Sequence, residues 1–284
     1  MQNESKSLLL INQMAVYTQP SLTPIYGSID SATGELIGSG TFLNLCGNTY
    51  LLTAGHIAQK SKEYFGLAHS LSNAFRQVYI THPYHTLNDH IDLCLVKIDG
   101  QNLRGTDIVP LASSKLSRTS SNIHNDILFI HGYPEDWGKI IRFFNHPVSK
   151  SIPYGTIIGK SGYDWFDDKI HFALGYPAGN LTVEKTAQPM PVIPRGLGGT
   201  AVWSTNLSTL GTSWKYDAAE IVGIVHHWDE RAQSLIATRI EVVRDFLIRS
   251  LRSEFAYYRW EERGSPFADD WNDWFAACEE ITDL

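Results

Sequence analysis

The sequence predicts an all-β protein followed by C-terminal helices. Between residues 20 and 238, short runs rich in β-branched and aromatic residues alternate with Gly, Asn and Asp. This pattern is typical of antiparallel barrels or sandwiches and not of βαβ units. After residue 237, apolar residues recur instead at helical spacing, with charges between them. The length of 284 residues allows one large all-β unit or two smaller domains.

The strand predictions rest on short apolar runs bounded by turn residues. The clearest runs are residues 49–53, 77–80, 93–98, 127–130 and 220–225. β-branched and aromatic side chains favour such strands because they pack well on a pleated, half-buried surface. Residues 101–124 are rich in Ser, Asn and Thr and poor in large apolar residues. We therefore expect them to connect two halves of similar size.

The helical prediction begins near residue 239. Apolar positions three or four residues apart lie on one face of a helix: Ile240, Val243, Phe246, Leu247 and Leu251. A second helical stretch, residues 254–263, ends before Gly264 and Pro266, which are typical stop signals. A last helix is predicted through Ile281.

The composition excludes several classes of function. The net charge is −7 and Lys and Arg do not cluster, so a nucleic-acid partner is not predicted. No apolar stretch approaches the roughly 18 residues of a membrane span. Three cysteines argue against the disulfide framework of a secreted domain, and residues 1–19 lack the features of a secretory signal. The sequence therefore predicts a cytoplasmic protein with neither a nucleic-acid nor a membrane partner.

Three segments contain candidate catalytic residues. In the first, an apolar strand ends in Thr-Ala-Gly followed by His56. In the second, Asp92 enters a strongly apolar strand, where a carboxylate is costly unless it is hydrogen-bonded. The third is the glycine-rich run 196–199, Gly-Leu-Gly-Gly, followed by an apolar strand at residues 221–225.

These segments resemble the histidine, aspartate and Gly-x-Ser-Gly-Gly motifs of the chymotrypsin/trypsin-like serine peptidases, in the same chain order. The resemblance covers about residues 25–250. It implies two antiparallel six-stranded β-barrels followed by C-terminal helices. It divides the chain into an N-terminal barrel at 1–115, a second barrel at 116–238, a C-terminal helix at 239–252 and a tail at 253–284.

The chain departs from this family at the nucleophile. When Gly196 and Trp203 are aligned with the family motif, Gly198 stands where the catalytic serine is expected. A deletion would instead shift the next strand by one residue and reverse its faces, so substitution is the simpler account. Two interpretations are open: the natural protein has a serine here and this chain is an inactivated variant, or the protein is a natural pseudoprotease.

The resemblance assigns a role to each candidate residue. His56 is the general base and then the general acid, while Asp92 orients its imidazole and stabilises the imidazolium. The backbone N–H groups of Gly196 and Gly198 form the oxyanion hole. Because Gly198 has no hydroxyl, the chain is expected to be inactive or nearly so; loss of the nucleophile typically lowers kcat about 10⁶-fold.

Six positions are expected to contact the substrate: Met190, Val192, Leu197, Val225, His226 and His227. The wall ahead of the nucleophile, residues 190–193, contains no Asp, which predicts an apolar or neutral side pocket. No cofactor and no metal is expected. A metal site at the histidines of residues 82–90 is the less favoured alternative to a polar loop.

The tail resembles a short helical domain of unknown function that occurs at the ends of many bacterial proteins. The resemblance implies two helices joined by a Gly-Ser-Pro turn, with Trp260, Trp271 and Trp274 as a small core. So few residues cannot bury enough surface alone. We therefore expect the tail to pack on the barrels or on a partner chain, and a regulatory protein partner is one interpretation of it.

Together these observations predict a trypsin-like serine endopeptidase that cleaves a protein substrate through an acyl-enzyme, here in a form without the nucleophilic serine. The alternative is a pseudoprotease that binds a peptide or a partner protein.

Overall fold

The computed structural model describes residues 2–28, 33–63, 67–69, 77–79, 85–87, 90–135, 141–142, 150–176, 194–266 and 270–281. Along the chain the helices and strands are α1 (Gln2–Thr18), β1 (Leu22–Ser28), β2 (Thr33–Leu45), β3 (Asn48–Thr53), α2 (Gly55–Glu63), β4 (Leu67–His69), β5 (Gln77–Tyr79), β6 (His85–Leu87), β7 (Leu93–Ile98), β8 (Leu111–Ala112), β9 (Leu128–Gly132), β10 (Ile141–Arg142), β11 (Ile152–Thr156), β12 (His171–Gly175), β13 (Ala201–Ser204), α3 (Leu207–Leu210), β14 (Glu220–Asp229), β15 (Ser234–Arg239), α4 (Ile240–Glu262) and α5 (Asp270–Glu280).

The first sheet has nine strands, in the order β5-β4-β1-β2-β3-β7-β6, with β8 and β10 both pairing with β2. All of its pairings are antiparallel except the two-residue parallel pairing of β8 with β2. The predicted strands at 49–53 and 93–98 are confirmed as neighbours, with Thr53 opposite Cys94 and Thr49 opposite Ile98. The ends of these two strands therefore lie side by side.

The second sheet has six antiparallel strands, in the order β11-β9-β13-β14-β15-β12. It curls into a half-barrel, because its edge strands β11 and β12 do not pair with each other and the chain just beyond β11 meets β12 only through an isolated bridge between Ile158 and Leu174. The prediction of two closed six-stranded barrels is thus correct only as two antiparallel sheets. In the first sheet β4, β5 and β6 have three residues each, and such short ladders do not close a barrel within the described residues.

Helix α1 was not predicted, so the all-β expectation is wrong for the N-terminal segment. Leu10 and Met14 are buried one helical turn apart, and this stripe packs on the second sheet at β9 and β11. At the end of the helix, the Tyr17 ring lies 5.9 Å from Trp203 in an edge-to-face arrangement. The N-terminal helix therefore contributes directly to the core of the second sheet.

The C-terminal segment begins with one continuous helix, α4, so the predicted division at 252/253 lies within a helix. The predicted core of three tryptophans is not formed, since Trp271 is 69% exposed and Trp260 and Trp274 are only partly buried. Instead Asp273 and Ala277 are buried, and Arg263 donates to both carboxylate oxygens of Asp273 at 3.0 and 2.5 Å. Among the described helices, none is both long and apolar enough to cross a bilayer.

Candidate active site

His56 and Asp92 are brought together by neighbouring strands. His56 lies in the first turn of α2, directly after β3, and Asp92 immediately precedes β7. The imidazole Nδ1 is 2.6 Å from Asp92 Oδ2, and the backbone N–H of His56 donates to Asp92 Oδ1 at 2.7 Å. The carboxylate is therefore held by two donors of the same residue, which fixes both its position and the plane of the ring.

A glycine before the histidine makes this close approach possible. The backbone N–H of Gly55 donates to the carbonyl oxygen of Asp92 at 3.0 Å. A Cβ at Gly55 would lie 2.9 Å from Asp92 Oδ1 and 3.2 Å from Thr86 Oγ1, closer than side chains pack. The glycine of the Thr-Ala-Gly-His run is therefore required by the carboxylate that faces it.

The backbone of Asp92 adopts φ +49°, which is costly for a residue with a side chain. The second sheet supports this conformation, because Thr238 Oγ1 donates to the carbonyl of Ile91 at 2.7 Å and His171 Nε2 lies 2.7 Å from the carbonyl oxygen of His90. Neither Thr238 nor His171 was identified from the sequence, since their partners are backbone atoms that carry no sequence signal.

Electrostatics keep Asp92 charged. Burial by itself raises its pKa, but the hydrogen bonds and charge of His56 outweigh burial and hold the pKa below its ordinary value. An ionised Asp92 places the imidazole proton on Nδ1 of His56. Nε2 is then the acceptor, as a general base requires.

Gly198 lies against the imidazole of His56. A Cβ built on Gly198 would be 3.1 Å from His56 Cε1, 3.4 Å from Nε2 and 3.5 Å from Ile57 Cδ1. The His56 side chain is 41% exposed, so it can shift by the few tenths of an ångström that a small side chain requires. A hydroxyl on that Cβ would therefore be within reach of Nε2.

Backbone hydrogen bonds set the direction of the Gly196 N–H group. The carbonyl of Arg195 accepts from the Glu135 N–H at 2.7 Å, and the N–H of a trans peptide points opposite to its carbonyl. Gly196 adopts φ +88°, and a Cβ there would lie 2.5 Å from the Tyr133 carbonyl oxygen. Only glycine both adopts this φ without strain and leaves room for the Tyr133 carbonyl oxygen.

The direction of the Gly198 N–H group is set in the same way. The carbonyl of Leu197 accepts from the Thr200 N–H at 3.1 Å, which turns the Gly198 N–H the other way. Within the described part of the chain, neither the Gly196 nor the Gly198 N–H donates to any group. Both residues line the same cavity, so the loop offers two free donors beside the imidazole, as an oxyanion hole does.

The loop borders a cleft of about 460 Å³ that is lined by His56, Gly196, Gly198 and three of the predicted substrate contacts, Val225, His226 and His227. A second cavity of about 400 Å³ adjoins it and is lined by His56, Asp92, His90, Trp165, His226 and His227. Leu197 does not line the cleft; it is 1% exposed and packs in the core of the second sheet. Met190 and Val192 lie outside the described residues, as does His82.

Two buried histidines predict a specific pH dependence of stability. Burial lowers the pKa of His131 to about 3 and that of His226 to about 3. In the unfolded chain their pKa is near 6.5, so below this pH the unfolded state binds more protons than the folded state. The contribution of these two histidines to the free energy of unfolding is therefore expected to be constant above about pH 7 and to fall from pH 6.5 toward pH 3, by up to about 1.4 kcal/mol per pH unit for each histidine.

Urea unfolding at pH 7.5, 6.0 and 5.0 measures this dependence. His226→Asn is expected to reduce the slope by the contribution of one proton, whereas the same change at the exposed His124 is expected to leave it unchanged. An equal slope in the parent and the His226 variant would contradict the prediction.

No metal site accompanies this arrangement in the portion of the chain that the structure describes, where no three His, Cys, Asp or Glu residues are grouped to hold an ion. His85, from the histidine-rich segment, has its Nε2 3.8 Å from Glu254 Oε2, on the side of the sheet that faces α4.

Comparison with known proteins identifies the tail. Residues 253–283 match the family "Protein of unknown function (DUF2934)", which confirms the predicted resemblance of the tail to a domain of unknown function. No curated protein matches the chain.

Two solved structures align with most of this chain at low sequence identity. One is a Glu endopeptidase in complex with MPD, with 15% identity and a TM-score of 0.47 over 81% of this chain and 89% of that chain. The other is a chain from work on the coupled folding and binding of the Sesbania mosaic virus VPg protein, with 15% identity and a TM-score of 0.45 over 80% of this chain and 91% of that chain. Similarity at this level does not identify an activity or a substrate.

Proposed function

We propose that the chain is a trypsin-like serine endopeptidase in a form that lacks its nucleophile. The observation that carries this proposal is the position of Gly198, whose Cβ would lie 3.4 Å from His56 Nε2 while Nδ1 of the same ring is held by Asp92 at 2.6 Å. A serine at this position would complete a nucleophile, base and orienting carboxylate in the geometry that acyl transfer requires.

With a serine at position 198, the reaction proceeds in two halves. The hydroxyl oxygen attacks the peptide carbonyl while His56 Nε2 takes its proton, and the negative oxygen is bound by the N–H groups of Gly196 and residue 198. His56 then gives the proton to the leaving amine as the C–N bond breaks, which leaves an ester on the serine. A water molecule repeats these steps, releasing the acid and restoring the hydroxyl.

With glycine at position 198 the chain has no side-chain oxygen to attack a substrate, and it is expected to bind peptides but hardly cleave them. The second candidate function is a pseudoprotease that binds a peptide or partner protein in the cleft. Gly198 itself favours it, together with the two unpaired N–H groups that can donate to a peptide carbonyl. The two candidates differ in whether a serine at position 198 becomes reactive.

Labelling with a fluorophosphonate probe separates the candidates. In this reaction the serine oxygen bonds to phosphorus, fluoride leaves and His56 takes the serine proton. We expect Gly198→Ser to label, and the chain as written, Gly198→Ala and Gly198→Ser/His56→Ala not to label. A folded Gly198→Ser protein that stays unlabelled would overturn the endopeptidase proposal, and peptide binding by that protein would then support the pseudoprotease.

A further inference from the structure

Ser39 lies under the glycine-rich loop and donates to it through both its backbone N–H and its side-chain hydroxyl. It is a fully buried residue of β2. Its backbone N–H donates to the carbonyl of Gly198 at 2.8 Å, and its Oγ donates to the carbonyl of Gly196 at 2.8 Å. Its own carbonyl accepts from Thr53 Oγ1 at 2.8 Å, which ties Ser39 to the strand that leads to His56.

The Ser39 hydroxyl has only one possible orientation. Its Oγ also lies 2.9 Å from the backbone nitrogen of Tyr133, and that N–H can only donate, while the Gly196 carbonyl can only accept. The single hydroxyl proton therefore points at Gly196, and a lone pair accepts from Tyr133. Because the hydroxyl donates to Gly196 and accepts from Tyr133, it fixes the positions of these two residues relative to each other.

The Ser39 hydroxyl helps to fix the orientation of the two peptides on either side of Gly196. The preceding peptide is fixed by the bond from the Glu135 N–H to the Arg195 carbonyl, and the following peptide is fixed by Ser39 Oγ. Together these bonds hold φ of Gly196 at +88°, although glycine by itself has little conformational preference. The Ser39 hydroxyl therefore holds the peptide that lies between the two donor peptides, and it fixes the direction of the Gly196 N–H relative to that of residue 198.

We infer that Ser39 is a positioning residue for the oxyanion hole of Gly196 and residue 198. This inference rests on the proposed endopeptidase function. Ser39 touches neither the substrate nor the reacting atoms, and acts only by holding the loop in the conformation that keeps both donors directed into the cleft. The sequence contained this residue within the Gly-Ser-Gly run at 38–40, but nothing in the run indicated what its side chain contacts.

The test uses the Gly198→Ser protein as parent and compares Ser39→Ala with Ser117→Ala. Ser117 is a matched control, because it is also buried and its Oγ lies within donating distance of two acceptors, the Thr119 carbonyl at 3.1 Å and Glu220 Oε2 at 2.9 Å, but it lines neither cavity. Removal of one hole donor typically lowers kcat about 10²–10³-fold. Because Ser39→Ala leaves both donors present but less well held, we expect kcat and the labelling rate to fall about 10- to 100-fold with KM unchanged.

Ser117→Ala is expected to lower stability without changing kcat. Ser39→Thr keeps the hydroxyl and is expected to label at nearly the parent rate, which tests the inference even where the alanine variant folds poorly. A Ser39→Ala protein that labels as fast as its parent, or a threonine variant as slow as the alanine variant, would overturn the positioning role. An unlabelled Gly198→Ser parent would instead overturn the proposed function.

Discussion

In the Gly198→Ser protein, Asp92→Asn is expected to lower kcat about 10⁴-fold while KM changes little. Replacing the orienting carboxylate of a His-Asp pair with an amide leaves the geometry nearly intact but favours the wrong imidazole tautomer, and the loss is of this size. The change is isosteric, so the effect reports the electrostatics and the proton position, not the packing.

The expected loss of kcat follows from the backbone N–H of His56, which is the second group that donates to Asp92. The backbone N–H of His56 can only donate, and it faces Asp92 Oδ1 at 2.7 Å. In an asparagine the carbonyl oxygen must take that place, which leaves the NH₂ group beside Nδ1. Nδ1 then becomes the acceptor and the proton moves to Nε2, which can no longer accept the proton of the serine.

Steady-state kinetics on a fluorogenic peptide would measure kcat and KM separately. Asp126→Asn is the matched control, because Asp126 is also buried and accepts hydrogen bonds from Ser204 at 2.6 Å and from the Asn206 N–H at 2.6 Å, away from the cleft. It is expected to lower stability and leave kcat near that of the parent. Equal losses of kcat in the two variants would show that any buried carboxylate has this effect and would refute the assigned role of Asp92.

Gly199→Ala is expected to lower the free energy of unfolding by about 4 kcal/mol or more, at the extreme of single-residue effects. A Cβ at Gly199 would lie 2.0 Å from the carbonyl oxygen of Ser39 and 2.3 Å from Thr53 Oγ1. The first of these atoms is backbone of a central strand and cannot move aside without distorting β2. The φ of +83° adds further strain.

Gly47→Ala separates the effect of the steric contact from the effect of the left-handed backbone. Gly47, in the turn between β2 and β3, has a similar φ of +78°, but a Cβ there would meet nothing within 4 Å. It should therefore lose only the roughly 1–2 kcal/mol of the left-handed backbone. Urea unfolding of both variants gives the comparison, and similar losses would mean that backbone strain, not the contact with Ser39, makes glycine necessary at position 199.

Local sequence patterns predicted a helix or strand correctly where the apolar residues of that segment are the ones that become buried. The strands β3, β7 and β14 were predicted from apolar runs, and α4 from apolar residues at helical spacing. Helix α1 was missed although Leu10 and Met14 carry the same spacing, because residues 1–19 were assessed only for the features of a secretory signal. The exposed Trp271 was placed in a core because large aromatic residues are usually buried.

The candidate site was predicted only in part, because a local sequence pattern does not show which way each side chain points. His56, Asp92 and Gly198 were identified because the runs that contain them resemble the histidine, aspartate and serine motifs of the chymotrypsin/trypsin-like peptidases. Leu197 was assigned to the cleft by its place next to Gly198, but neighbours in a tight loop point in opposite directions and Leu197 packs in the core.

By itself, the sequence indicated which residues form the candidate site, that they lie at the ends of buried strands, and that no hydroxyl stands at position 198. The tertiary structure alone decided that Gly198 faces the imidazole of His56, that Asp92 is supported by the second sheet, and that Ser39 orients the loop. These relations join residues of different sheets through backbone atoms and through distances of a few ångströms. Such contacts exist only when the two sheets pack, and a backbone carbonyl has no residue type by which a sequence can reveal it.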